Sequence, residues 1–90
     1  MSIIQKLQLK KFINKFYKIF GAELDRAPFT TKLRDLNSYD FLHDIQFDVL
    51  QILEVYENCF YEEAYTMHKW LIKFNAQINT LKETCYEHTC

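Results

Sequence analysis

Phe60, Ala64, Met67, Leu71, Phe74, Ile78, Leu81 and Cys85 follow one another at intervals of 4-3-4-3-4-3-4. A heptad seam kept up this long commits residues 61–86 to a helix that packs against another helix along its length. The partner is either within the same chain or in a second one. No Gly or Pro separates this seam from the preceding stripe of Phe41, Leu42, Ile45, Val49, Ile52, Leu53 and Tyr56. An unbroken helix over 39–86 would reach about 72 Å and would need a second chain to cover it. A break at Asn58-Cys59 instead folds the chain back on itself, since Asn accepts both cap and turn geometry.

The break leads to an all-α fold, a small antiparallel bundle of three main helices in a single domain spanning 1–90. The helices are expected at about 2–20, 38–57 and 61–86, with a short helical turn near 30–36. In the first, Leu9, Phe12, Ile13, Phe16, Ile19 and Phe20 keep the helical period, and Gly21 stands where a left-handed C-cap is wanted. Ile3, Ile4 and Leu7 fall off that stripe, so they are buried on a second side or form an exposed apolar patch. Pro28 interrupts any helix, Thr30 or Thr31 is placed to cap the short turn, and Asn37 or Ser38 to cap the second helix. One Gly and one Pro cannot supply the tight turns of a sandwich or barrel, and 17% aromatic residues are too many for a disordered chain.

Charge is segregated. Residues 1–20 carry Lys6, Lys10, Lys11, Lys15 and Lys18 and no acid; from Asp35 to Glu63 there are eight acids and no Lys or Arg. The plainest expectation is a basic helix lying beside an acidic one, attraction helping to set the topology. The alternative is that one block faces an oppositely charged partner. A net charge of -1 gives no bulk pull towards nucleic acid or anionic lipid. The lysine-broken N-terminus is no signal peptide, and no apolar run is long enough to span a membrane. With an odd count of cysteines, a cytoplasmic location is expected.

Motifs for chemistry are lacking. Cys85, His88 and Cys90 have metal-ligand chemistry, but a structural zinc site wants a fourth ligand and Cys85 belongs to the seam. Asp40, Asp44 and Asp48 at i, i+4, i+8 could face one cation, yet such a row is ordinarily a solvated helix face. One glycine cannot build a phosphate-cradling loop, and His43, His68 and His88 stand in no nucleophile motif. No enzyme, no cofactor and no metal is expected.

The informative excess is apolar. Beyond its seam the third helix carries Tyr61, Tyr65, His68 and Ile72 on nearly the opposite side, with Trp70 flanking the seam. Phe47, Leu50 and Val55 leave the stripe of the second helix in the same way. Two apolar sides mean a central helix or a partner's surface, and Tyr and Trp are favoured at interface hot spots. The expectation is a non-catalytic protein-binding module that masks or inhibits a partner, as a chaperone, immunity protein, antitoxin or phage-encoded inhibitor does. Tyr61, Tyr65, His68, Ile72, Trp70 and Phe47 would make the contact, and Asp40, Asp44 and Asp48 would steer a basic partner. A homo-oligomer pairing the faces of helices two and three is the second possibility. A nucleic-acid accessory protein using the first helix is the third, disfavoured because that helix has no Arg for reading base edges.

Tyr61, Glu63 and Ala64, followed by Met67, Trp70 and Leu71, resemble the turn and second helix of a tetratricopeptide hairpin, most nearly that of the needle-subunit chaperones of type III secretion. Gln51-Ile52 stand where such a hairpin's first helix shows Leu-Gly, and no second repeat follows. The resemblance covers about a third of the chain. It implies a helical clasp around an aggregation-prone amphipathic helix of a secreted protein.

Overall fold

The computed structural model describes residues 2–27, 29–58 and 62–89, the last four of these by backbone alone. Three α-helices make up the fold: α1 (Ile3–Phe20), α2 (Tyr39–Glu57) and α3 (Glu62–Thr89), with a 3-10 turn at Leu33–Asn37 and no strand among the described residues. The chain reverses between Glu57 and Glu62, so α2 and α3 form a hairpin rather than one rod. Contacts of His43 and Gln46 with Lys82, Asn75 and Asn79 put them antiparallel. Phe12 stacks on Phe74 with ring centroids 4.3 Å apart, and Lys15 lies over Trp70, so α3 is antiparallel to α1 as well. The long axis of the bundle, 41 Å, is set by α3.

Local chemistry explains the boundaries. Ser2 Oγ accepts the Gln5 N–H and Gln5 Oε1 accepts the Ser2 N–H, a reciprocal capping box that opens α1. Ser38 Oγ accepts the Phe41 N–H and opens α2. The short turn is opened by neither Thr30 nor Thr31: Asp35 reaches back to the N–H of Lys32. Gly21 also departs from expectation, having φ −56 rather than a left-handed angle. The chain winds on for another turn until Asp25, at φ 54, and the Arg26 N–H closes onto the Gly21 carbonyl at 2.9 Å. What requires glycine at 21 is close approach, because a Cβ there would collide with the Tyr17 carbonyl oxygen.

The core joins Leu9, Phe12, Ile13, Phe16 and Phe20 of α1 to Leu42, Ile45, Val49 and Ile52 of α2 and Leu71, Phe74, Ile78 and Leu81 of α3, with Leu36 sealing one end. The seam of α3 is buried from Ala64 through Cys85, Met67 being half-buried, while Phe60 and the Asn58-Cys59 link lie at or beyond the edge of the described residues. Ile19 is exposed and Tyr17 takes the inward place expected of it. Ile3, Ile4 and Leu7 form an exposed patch. No described helix is long and apolar enough to cross a membrane.

Candidate protein-binding face

The α2–α3 interface has two unlike halves. Towards the N-terminus of α2 it is closed by polar groups. Lys82 Nζ donates to His43 Nδ1 at 2.8 Å and to Gln46 Oε1 at 2.9 Å, and the Gln46 amide reaches Asn75 and Asn79. Towards the other end the closure fails, leaving a shallow groove of about 390 Å³ lined by Leu50, Leu53, Glu54, Glu57, His68 and Ile72. Ile72 is 49% exposed and Leu50 47%. Tyr65, 58% exposed, lies one turn before His68 on the same flank of α3, its ring under Lys69 Nζ at 4.8 Å. Phe47, 57% exposed, lies one turn before Leu50 on α2. Apolar side chains of two helices thus share one open face, while neither α1 nor the 21–37 connection lines the groove.

Of the residues picked out in the sequence, Tyr65, His68, Ile72 and Phe47 belong to this face. Asp40 and Asp44 are exposed on the outer side of α2. Tyr61 lies outside the described residues. Trp70 does not belong. It sits on the other flank of α3, edge-on to Phe12 at 4.6 Å and to Phe74 at 6.0 Å, in the α1–α3 packing. Leu53, Glu54 and Glu57 escaped sequence reasoning because Leu53 keeps the core period and the two acids look like any solvated pair; their shared flank with Leu50 on a helical wheel was the available signal.

Asp48 is the largest correction. It is not on the solvated face but buried, with only 3% of its surface exposed. Its carboxylate accepts the Tyr17 hydroxyl and binds Arg26 through Nε at 3.1 Å and Nη2 at 3.3 Å. Burial, then the hydrogen bond to Asp48 and its negative charge, push the Tyr17 phenol well above its ordinary range. The same carboxylate raises the pKa of the Arg26 guanidinium. A charge buried this deeply must be paired, and the pairing explains why it is tolerated here. Asp48 is therefore lost to the row both as a cation ligand and as a steering charge, and only Asp40 and Asp44 keep their place on the solvated side.

The basic and acidic blocks form no ion pair between α1 and α2 among the described residues. Among the described residues none of the lysines of α1 lies within 4 Å of an acid, and the ion pair that reaches α2 comes from Arg26 in the connection. The Cys85 thiol is buried and donates to the Leu36 carbonyl; the side chains of His88 and Cys90 lie outside the described residues. No three His, Cys, Asp or Glu residues cluster as a metal site among those described. Comparison with protein-family models, curated proteins and solved structures finds no match for the chain.

Proposed function

We propose that this protein is a non-catalytic binding module that masks or inhibits a partner protein by covering an apolar segment of it with the α2–α3 face, in the cytoplasm. The carrying observation is the groove of Leu50, Leu53, His68 and Ile72, extended by Phe47 and Tyr65, which the described residues leave open. Contiguous apolar surface spread over two helices marks an interaction site more strongly than scattered exposed residues do. Glu54 and Glu57 in the groove, with Asp40 and Asp44 further along α2, favour a partner with positive charge beside its apolar contact. A chaperone, an immunity protein and an inhibitor all need a face of this kind and no catalytic group.

The test is capture from the native host with the wild type and with the Tyr65→Ala/Ile72→Ala double variant. A protein recovered by the first and lost by the second, at unchanged helicity and melting temperature, supports the reading. Equal recovery by both refutes this surface. Light scattering separates the homo-oligomeric alternative: a dimer abolished by Ile72→Asp would assign the face to a second copy.

A further inference from the structure

The opposite flank of α3 carries an independent feature. An open cleft of about 370 Å³ runs between α1 and α3, with Lys11 and Lys15 one turn apart on its α1 wall and Lys73 facing them from α3. No acid lines it, and the three lysines have no acidic partner among the described residues. Two of the three ammonium groups rest on aromatic rings: Lys15 Nζ is 5.5 Å from the Trp70 ring centroid and Lys73 Nζ is 5.4 Å from that of Phe74. A cation over a ring face gains modestly from the ring quadrupole and remains available to a stronger counter-charge. Gln8 adds an amide at the rim, and the Phe12 ring adds apolar wall.

Three unpaired ammonium groups from two rigid helices around one small cleft match a ligand whose negative charges are closely spaced along a short chain. The structure assigns this cleft as a binding site for an oligophosphate group. Lysine suits the purpose as a mobile point charge with three donors, where a lone carboxylate would use only one of the three. The volume suits a triphosphate chain, free or carried on a nucleoside, which are two sources of the same chemistry. Binding lifts Lys15 away from Trp70, the one tryptophan of the chain, so the site carries its own reporter.

The experiment titrates the full-length protein with inorganic tripolyphosphate, ATP, adenosine and sulfate, following Trp70 fluorescence and, in parallel, calorimetric heat. Tripolyphosphate and ATP are expected to change the emission and to bind with affinities that fall at least tenfold between low salt and ~0.5 M salt. Adenosine should be silent and sulfate at least tenfold weaker. Lys15→Gln and Lys73→Gln should each weaken tripolyphosphate about tenfold, whereas Lys6→Gln, outside the cleft, should leave it within about twofold; these changes correspond to ~1.4 and ~0.4 kcal/mol. ATP binding tighter than tripolyphosphate assigns the nucleoside source; equal binding assigns the free chain. No heat and no emission change with either phosphate overturns the proposal, and so does a Lys6→Gln loss equal to that of Lys15→Gln, which would mean diffuse attraction. A long single-stranded oligonucleotide that outcompetes tripolyphosphate at equal phosphate concentration would reassign the cleft to nucleic acid.

Discussion

Replacing Tyr17 by Phe removes one oxygen atom and leaves the ring packed between Phe16, 5.0 Å away and perpendicular, and Phe29, 4.8 Å away. What is lost is the hydroxyl donation to Asp48. Its carboxylate is left with Arg26, whose side chain is 47% exposed and shares its charge with water. A hydrogen bond to a charged acceptor contributes about 1.5–3 kcal/mol, and leaving the acceptor underpaired in the interior costs towards the upper end. Urea unfolding followed by circular dichroism is the assay. For a chain of this size m is ~1 kcal/mol/M, so the midpoint should fall by about 2 M with m unchanged. Asp48→Asn and the double variant complete a cycle, and a coupling energy of about 1–2 kcal/mol between the two positions is expected. The pH dependence has a definite sign. Because the folded protein holds the Tyr17 proton above the unfolded value near 10, the contribution is complete below pH ~10 and declines as pH rises beyond it, by up to ~1.4 kcal/mol per pH unit. Tyr17→Phe should lack that decline. Additivity within ~0.5 kcal/mol, or identical alkaline slopes for wild type and Tyr17→Phe, would refute the reasoning.

Thr31 is fully buried and its Oγ1 meets no hydrogen-bond partner among the described residues, while its N–H donates to Asn14 Oδ1 at 2.8 Å. Thr31→Val keeps the shape and the backbone bond and should raise stability by about 1 kcal/mol in the same urea assay. Gly21→Ala drives a methyl group into the Tyr17 carbonyl, which cannot retreat without giving up its 2.9 Å bond from the Gly21 N–H; a loss of about 1–3 kcal/mol is expected as a lower melting temperature. Asp25→Gly relieves the left-handed angle at φ 54 and should gain ~0.5–1 kcal/mol by thermal melting, with helicity unchanged.

Local signals carried most of the fold. The seam of α3, the stripe of α2 and the Ser38 cap depend on neighbours within a turn, so local patterns find them, and the antiparallel return of α3 on α2 follows from the length a single chain can cover. What stayed hidden depends on residues distant in the chain. Asp48 has the spacing of a solvated acid, and only the arrival of Tyr17 and Arg26 draws it inward. Ile19 and Tyr17 exchange their expected places because α1 turns Tyr17 towards that carboxylate. On the candidate face, Tyr65, His68, Ile72 and Phe47 were legible as apolar positions off the main stripes. The acids beside them, and the removal of Trp70 to the other flank, follow from how the three helices are arranged.

That arrangement accounts for the two apolar sides of α3. A helix with two such sides is either central or partly uncovered, and α3 is both. It runs antiparallel to α1 and to α2, so the Trp70 flank is used inside the molecule against Phe12, while the Tyr65–Ile72 flank meets α2 only along its edge. Because α1 packs on α3 through Phe12 and Phe74, Lys11 and Lys15 line the α1–α3 cleft, while Glu54 and Glu57 of α2 line the α2–α3 groove. The charge blocks that looked made for each other form no ion pair among the described residues, although α1 and α2 touch through the Tyr17 hydroxyl on Asp48 and through Phe20 and Tyr56. Pairing the two blocks would have gained only about 0.2–1 kcal/mol per exposed pair. Not pairing them forgoes little stability and leaves two faces of opposite sign, one lined by apolar side chains and the other by ammonium groups over aromatic rings, so binding at one need not compete with binding at the other.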